Sequence, residues 1–259
     1  MHRRTFFLSI ILMTASVSGT AAIAQEPEKD MHRISGELIY LVRIALPPDS
    51  VATVELRHAL ASEDTSPIAE QKITLNGKQV PVPFSLAVER SRLKPGETYY
   101  LDGGIHDGRK QRWTSEAIVI DPEEPDITLG ALLLKPSGST SRLIPVAMEE
   151  ITGTEWVVED INGGGIIDSS RVTLTFDEDG RVGGRASCNS YSAGWTESNG
   201  KLTIGNAMST EMACAEALMN QEQKFLSILT DLKFYATTPE GALILQTVDG
   251  RRLRAFPAG

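Results

Sequence analysis

Hydrophobic and polar positions alternate with a period of two through most of this chain, in short runs broken by turn residues. Residues 36–44, 53–58, 69–75, 82–88, 99–105 and 116–120 are rich in β-branched or aromatic side chains, the pattern of half-buried strands. Between them stand Pro47-Pro48-Asp49, Asn76-Gly77, Pro95-Gly96 and Asp107-Gly108. Asn and Gly accept the positive φ that tight turns need, and proline presets φ at a turn's first corner. Six or seven strands without an amphipathic helix predict a β-sandwich over residues 34–134.

The second half is also strand-like, at 155–161, 172–176, 201–204, 233–237, 242–246 and 252–256, with a hairpin turn at 177–180. One helix interrupts it. Leu218, Phe225, Leu229 and Leu232 recur at helical spacing, while Glu222, Gln223 and Lys224 fall on the wet side. The expectation for residues 151–257 is a small barrel-like β domain carrying one α-helix, so the chain as a whole is mainly β. Lys135-Pro136-Ser137-Gly138-Ser139-Thr140-Ser141 reads as a flexible connector, which makes 135–150 the linker. The acidic tract from Asp121 to Asp126 reads as a solvated turn ending the first domain.

Composition narrows the function classes. Hydrophobic residues make up 41% of the 259 and the formal charge is −9, which disfavours nucleic acid as a partner. Arg3 and Arg4, the apolar stretch of residues 6–13 and Ala22-Ile23-Ala24 form the three regions of an export signal, expected over residues 1–24 with cleavage near Ala24/Gln25. Its apolar run is too short to span a bilayer. Sec export is the expected route, with a twin-arginine route the alternative suggested by Arg3-Arg4. Removing that segment takes away two arginines and no acid, so the charge deepens to −11. No cysteine lies near the cleavage point, so the expected product is a periplasmic or secreted protein without a lipid anchor.

Cys188 and Cys214 are the only cysteines. An even count in an exported chain reads as a disulfide. A redox-active or unpaired thiol pair is the alternative, and no Cys-x-x-Cys spacing supports it. Four histidines are present; His2 leaves with the signal, His32 falls in the N-terminal tail, and the second domain has none to build a triad from. His106, near Asp102 and Asp107, reads as a polar turn residue. Gly163-Gly164-Gly165 leads to another strand, not to a helix N-terminus, and reads as a hairpin loop instead of a phosphate cradle. Asp177-Glu178-Asp179 lacks calcium-loop spacing. Neither a catalytic set, a metal site nor a cofactor is expected.

Cys188-Asn189-Ser190-Tyr191, followed by Thr210-Glu211-Met212-Ala213-Cys214, resembles the META/HslJ family. The Thr154-Glu155-Trp156 opening and the Glu222, Phe225, Leu229 helix spacing agree with it. Trp156, Asn189, Tyr191, Met212 and Ala213 are then structural motif positions. Ser187 stands where that family often has glycine. Ile34-Ser35-Gly36-Glu37-Leu38, Leu46-Pro47-Pro48-Asp49-Ser50, Val82-Pro83-Phe84 and the strand at 99–104 leading to Trp113 are similar to the YbaY/YscW family of bacterial lipoproteins. The two resemblances imply a bacterial envelope setting, with chaperone or assembly roles from the first domain and stress or antibiotic tolerance from the second.

The expected function is therefore a non-enzymatic periplasmic envelope protein with an interaction, assembly or stress-tolerance role toward an unidentified envelope protein. One alternative is a carrier of a small apolar ligand in the C-terminal barrel, with Tyr191, Trp195 and Met212 as pocket-lining candidates. A hydrolase or thiol-redox enzyme is the other.

Overall fold

A computed structural model describes residues 30–61, 65–138 and 143–259; the export segment expected at 1–24 lies outside the described residues. The N-terminal half holds β1 (Met31–Ile39), β2 (Val51–His58), β3 (Ala69–Thr74), β4 (Val82–Glu89), β5 (Tyr99–Asp107), β6 (Lys110–Ser115), β7 (Ile118–Ile120) and β8 (Asp126–Pro136). They hydrogen-bond as one sheet in the order β3-β2-β5-β6-β8-β1-β4, with β7 pairing β5. The sheet curls until its end strands β3 and β4 approach, and Gln71 accepts a bond from the Ser85 amide across the gap at 2.9 Å. Facing walls of this curled sheet carry the alternation that reads as a sandwich. Ala52, Val54 and Leu56 of β2 and Val82, Phe84, Leu86 and Val88 of β4 point into one core, while alternate residues point outward.

Several element boundaries differ from the periodicity. Strand β1 starts at Met31 and ends at Ile39, where its pairing with β4 and β8 stops. The apolar run continues past it, leaving Leu41 75% and Ile44 59% exposed. His32, placed in a tail by its position, lies within β1 and is fully buried. The acidic tract does not end the domain: it turns the chain into β8, which lies between β1 and β6.

The C-terminal half contains α1 (Met148–Ile151), β9 (Trp156–Ile161), β10 (Thr173–Phe176), β11 (Arg181–Arg185), β12 (Ser190–Ser198), β13 (Lys201–Ile204), β14 (Met208–Ser209), α2 (Glu216–Thr230), β15 (Leu232–Thr237), β16 (Leu243–Thr247) and β17 (Arg252–Pro257). The sheet runs β13-β12-β11-β10-β9-β17-β16-β15, with β14 on β12. It is nearly closed, and α2 drives Phe225, Ile228 and Leu229 into its core. Leu218 is only half-buried and Leu232 begins β15 instead of ending the helix. Phe176, Leu174, Phe225, Leu243 and Leu253 are fully buried in the interior, so side chains occupy the space an apolar cargo would need.

Of the stretch expected to be a linker, residues 139–142 lie outside the described residues, and the described parts on either side take up structure. Lys135 and Pro136 complete β8 against Thr114 and Trp113, Leu143 is buried, and Ile144 bridges Thr237. Around it the two halves share an interface. Tyr100, Ala117 and Val119 from the first pack with Leu143, Phe234, Ala236 and Ile244. The buried Gln246 amide accepts from Val119 N–H at 3.0 Å and donates to Val119 C=O at 2.8 Å. Glu116 meets Lys135 at 2.6 Å, Arg252 at 3.0 Å and Arg254 at 3.2 Å. Burial pushes its carboxyl up, but these cations, led by Arg252, outweigh burial and hold it below the usual range. Lys201 pairs with Asp121 at 2.8 Å and with Glu123, so the acidic turn that reads as solvated is partly an interdomain contact.

Candidate functional site

A groove of about 480 Å³ runs along the outer face of β2, β5 and β6 and reaches Ala117 and Leu143 at the domain boundary. Its floor follows from strand geometry. In β5 the odd residues Tyr99, Leu101 and Ile105 face the core, so Asp102, Gly104 and His106 line the outer face. Register places Glu55 of β2 opposite Asp102 and Thr53 opposite Gly104, and Thr114 of β6 opposite Gly104 on the other side. A Cβ on Gly104 would sit 2.7 Å from Gln111 Nε2 and 3.1 Å from the Trp113 carbonyl oxygen. Only glycine leaves room for that amide to lie across the floor.

The charges in the groove are unevenly matched. Arg57 gives Nε and Nη2 to Glu55 Oε2 at 3.0 and 2.6 Å, and its Nη1 donates to the Thr65 carbonyl. The neighbouring Asp102 accepts no hydrogen bond among the described residues. Burial first, and then the Glu55 charge, push its carboxyl up to about 6, with Arg57 opposing. His106, expected in a polar turn, lies in β5 with Nε2 3.2 Å from Thr53 Oγ1. No carboxylate bonds its other ring nitrogen among the described residues.

The sequence motifs of the second domain assemble elsewhere. Cys188 and Cys214 are joined by a disulfide with Cα atoms 6.1 Å apart. Asn189 is buried and acts as a joint: Oδ1 accepts from Met212 N–H at 2.7 Å and Thr210 Oγ1 at 2.8 Å, while Nδ2 donates to Glu222 Oε1 at 2.9 Å. Glu222 Oε2 accepts the Asn189 and Cys188 amides at 2.7 and 3.2 Å. Glu222 is thus not on a wet face; it ties α2 to the turn before β12. Helical periodicity missed it because the loop that covers this face comes from 34 residues earlier. Gln221, also buried, bonds Ile167 N–H at 2.7 Å, Ser170 Oγ at 2.8 Å and Ser187 Oγ at 3.1 Å. These carboxylate and amide contacts pair otherwise orphaned backbone groups, which is structural work.

The pocket-lining candidates are spread between the core and the surface. Tyr191 faces the core, its hydroxyl donating to the Thr173 carbonyl at 3.1 Å and its ring 5.3 Å from that of Phe225. Trp195 is half-buried against the edge of Phe176, and Met212 is 52% exposed. Trp156 is buried, its indole N–H donating to the Ile151 carbonyl at 2.9 Å, while Ala213 is exposed in the loop before α2. The loop Gly163-Gly164-Gly165 wraps the Asp160 carboxylate, which accepts from Gly163 N–H at 2.6 Å and Gly165 N–H at 2.8 Å. Its amides therefore already have an anionic partner within the chain.

Comparison with known proteins matches residues 29–126 to the type III secretion system lipoprotein chaperone (YscW) family and residues 149–259 to the META domain. The chain is 28% identical over 140 residues to the uncharacterized lipoprotein YbaY of Escherichia coli (strain K12), covering 50% of this chain and 72% of that protein. An alternative pilotin from the type II secretion system of Vibrio cholerae is 30% identical, over 40% of this chain and 97% of its own, with a TM-score of 0.35. A Burkholderia xenovorans protein solved by NMR is 20% identical, over 48% of this chain and 99% of its own, with a TM-score of 0.37. No helix among the described residues is long and apolar enough to cross a membrane. The groove strands β2, β5 and β6 lie inside the segment that matches the YscW family model, and the disulfide and the Glu222 joint lie inside the one that matches the META domain model.

Proposed function

We propose that this chain is a non-enzymatic protein of the bacterial envelope that holds a partner polypeptide in a chaperone or assembly role, with the β2–β5–β6 groove as its docking face. The observation that carries the reading is that the domain matched to a secretion lipoprotein chaperone family also bears this groove, with Leu60 standing 80% exposed beside its lining residues His58, Ala59 and Ala61. Large exposed apolar side chains beside a groove favour protein contact. The C-terminal half buttresses one end of the groove through the shared apolar cluster and Gln246. A non-enzymatic reading is further supported by the imidazole of His106, which has a hydroxyl neighbour but no orienting carboxylate among the described residues.

The test is site-specific photocrosslinking in living cells. A photoreactive residue at Leu60 should give one discrete adduct that mass spectrometry assigns to an envelope or secretion protein. The same residue at Glu178, in the far hairpin between β10 and β11, should not. Equal labelling at both sites, or none at Leu60, would refute the docking face.

A further inference from the structure

Resting on the reading of the groove as a docking face, we infer that it is selective for a basic residue of the partner polypeptide, an arginine or lysine side chain that seats over Gly104 and pairs with the Asp102 carboxylate. Two neighbouring carboxylates, Glu55 and Asp102, stand directly opposite each other on paired strands. Like charges in that relation repel. Among the described residues only one of them is compensated: Arg57 commits Nε and Nη2 to Glu55 and Nη1 to the Thr65 carbonyl. Asp102 is left half-buried and without a donor among the described residues. A carboxylate taken out of water without a hydrogen bond is costly, and the groove beside it is open and large enough for a side chain.

The surroundings fit such a visitor. Glu55, Arg57 and Asp102 leave the groove with one uncompensated negative charge. His58, on β2, is turned to Glu97 at 3.2 Å, and His106, on β5, is bonded to Thr53. Tyr100, Ala117 and Leu143 supply apolar and aromatic surface at the domain boundary, against which the methylene stem of a basic side chain can lie. A guanidinium or ammonium would bring the donors that Asp102 lacks and relieve its repulsion with Glu55. Acidification should release it. Burial and the Glu55 charge push the Asp102 carboxyl up to about 6, and its protonation removes the charge that holds a cation.

The experiment titrates the full chain with three peptides, acetyl-Gly-Ala-X-Ala-Gly-amide, where X is Arg, Gln or Glu, to about 5 mM, the range of a weak single-side-chain contact. Backbone amide shifts of Gly103, Gly104 and His106 report occupancy. The arginine peptide should bind at least about tenfold more tightly than the glutamine peptide. Asp102→Asn should erase the difference while amide shifts elsewhere stay in place. Glu116→Gln, which removes a carboxylate outside the floor, should preserve it. Equal binding of the arginine and glutamine peptides, or arginine binding unchanged in Asp102→Asn, would overturn the inference. The Leu60 crosslink separates the two levels. An adduct that persists in Asp102→Asn cells, with no arginine preference in vitro, leaves the docking face standing and sinks the basic-residue site. Arginine-specific binding without any Leu60 adduct does the opposite.

Discussion

Replacing Gln246 with leucine should loosen one domain from the other. Strand β7 pairs only with β5, at Tyr99, Tyr100 and Leu101, which leaves one edge of Val119 without a strand. The Gln246 side chain fills that place as a peptide-like group, accepting from Val119 N–H at 3.0 Å and donating to Val119 C=O at 2.8 Å, and it is only 1% exposed. Leucine keeps most of the volume but leaves both backbone groups buried and unpaired. Each orphan costs about 1–3 kcal/mol, so about 3 kcal/mol is expected for the pair. With a urea m-value of about 2–3 kcal/mol/M, the unfolding midpoint should fall by about 1 M. Trp113 reports the first domain and Trp156 the second. Single-tryptophan versions should therefore unfold together in the parent protein and separately in Gln246→Leu. A midpoint shift worth less than about 0.5 kcal/mol, the scatter of an ordinary surface substitution, would refute the interface as a stabilising contact. Coincident tryptophan transitions in the variant would refute Gln246 as the coupling element.

Other outcomes follow from the same contacts. Reducing the disulfide, or substituting either Cys188 or Cys214 by serine, frees a loop of 26 residues; the chain-entropy model puts the loss at about 3.5 kcal/mol, and equal drops in unfolding midpoint for both variants check it. Asp102→Asn should stabilise the protein. The folded carboxyl titrates near 6 against an ordinary value of 3.8, so the cost of ionising it is absent below about pH 4, grows between the two values and is complete above 6. The gain above pH 6 should be about 2 kcal/mol after allowing for partial solvent screening, and denaturant curves at acid and neutral pH that show no difference would count against it. His32 is buried with no ring nitrogen in good hydrogen-bond geometry among the described residues, and burial, then Arg90, lower its pKa against the Glu124 backbone and the pull of Asp126 and Asp121. A depressed imidazole keeps its contribution above the unfolded value and loses it as pH falls through the folded one. His32→Phe should therefore flatten the loss of stability between neutral and mildly acidic pH, and parallel profiles would contradict this.

Some of this site was legible in the chain and some was not. Period-two alternation put Asp102 in a strand over 99–105, whereas His106, just past its expected end, read as a polar turn residue. Alternation carries no register, however, so it could not show that Glu55 and Thr53 would face them or that Arg57 would be spent on Glu55. His32 and the exposed Leu41 were misplaced for a related reason: an apolar run does not announce where its partner strand ends. Glu222 was read as solvent-facing because a helical wheel knows only its own helix. The loop that needed its carboxylate lies elsewhere in sequence, and the amides of Cys188 and Asn189 both donate to it.

What the sequence by itself determined is local or countable: short alternating strands, turn chemistry at Asn76-Gly77 and Asp107-Gly108, one amphipathic helix, and a disulfide that only Cys188 and Cys214 were present to make. The motifs that identify both domains belong to the same class, being ordered residues at short spacings. The tertiary structure decided the rest. It chose which strands are neighbours, curled each sheet toward closure, filled the second barrel with Phe176 and Phe225, and turned a polar connector into part of an interface. It also left Asp102 without a hydrogen-bond donor among the described residues, in an open groove. Those outcomes depend on strand register and on contacts between residues far apart in the chain, where the free energy of a group is set by what folding brings beside it and not by its neighbours in sequence.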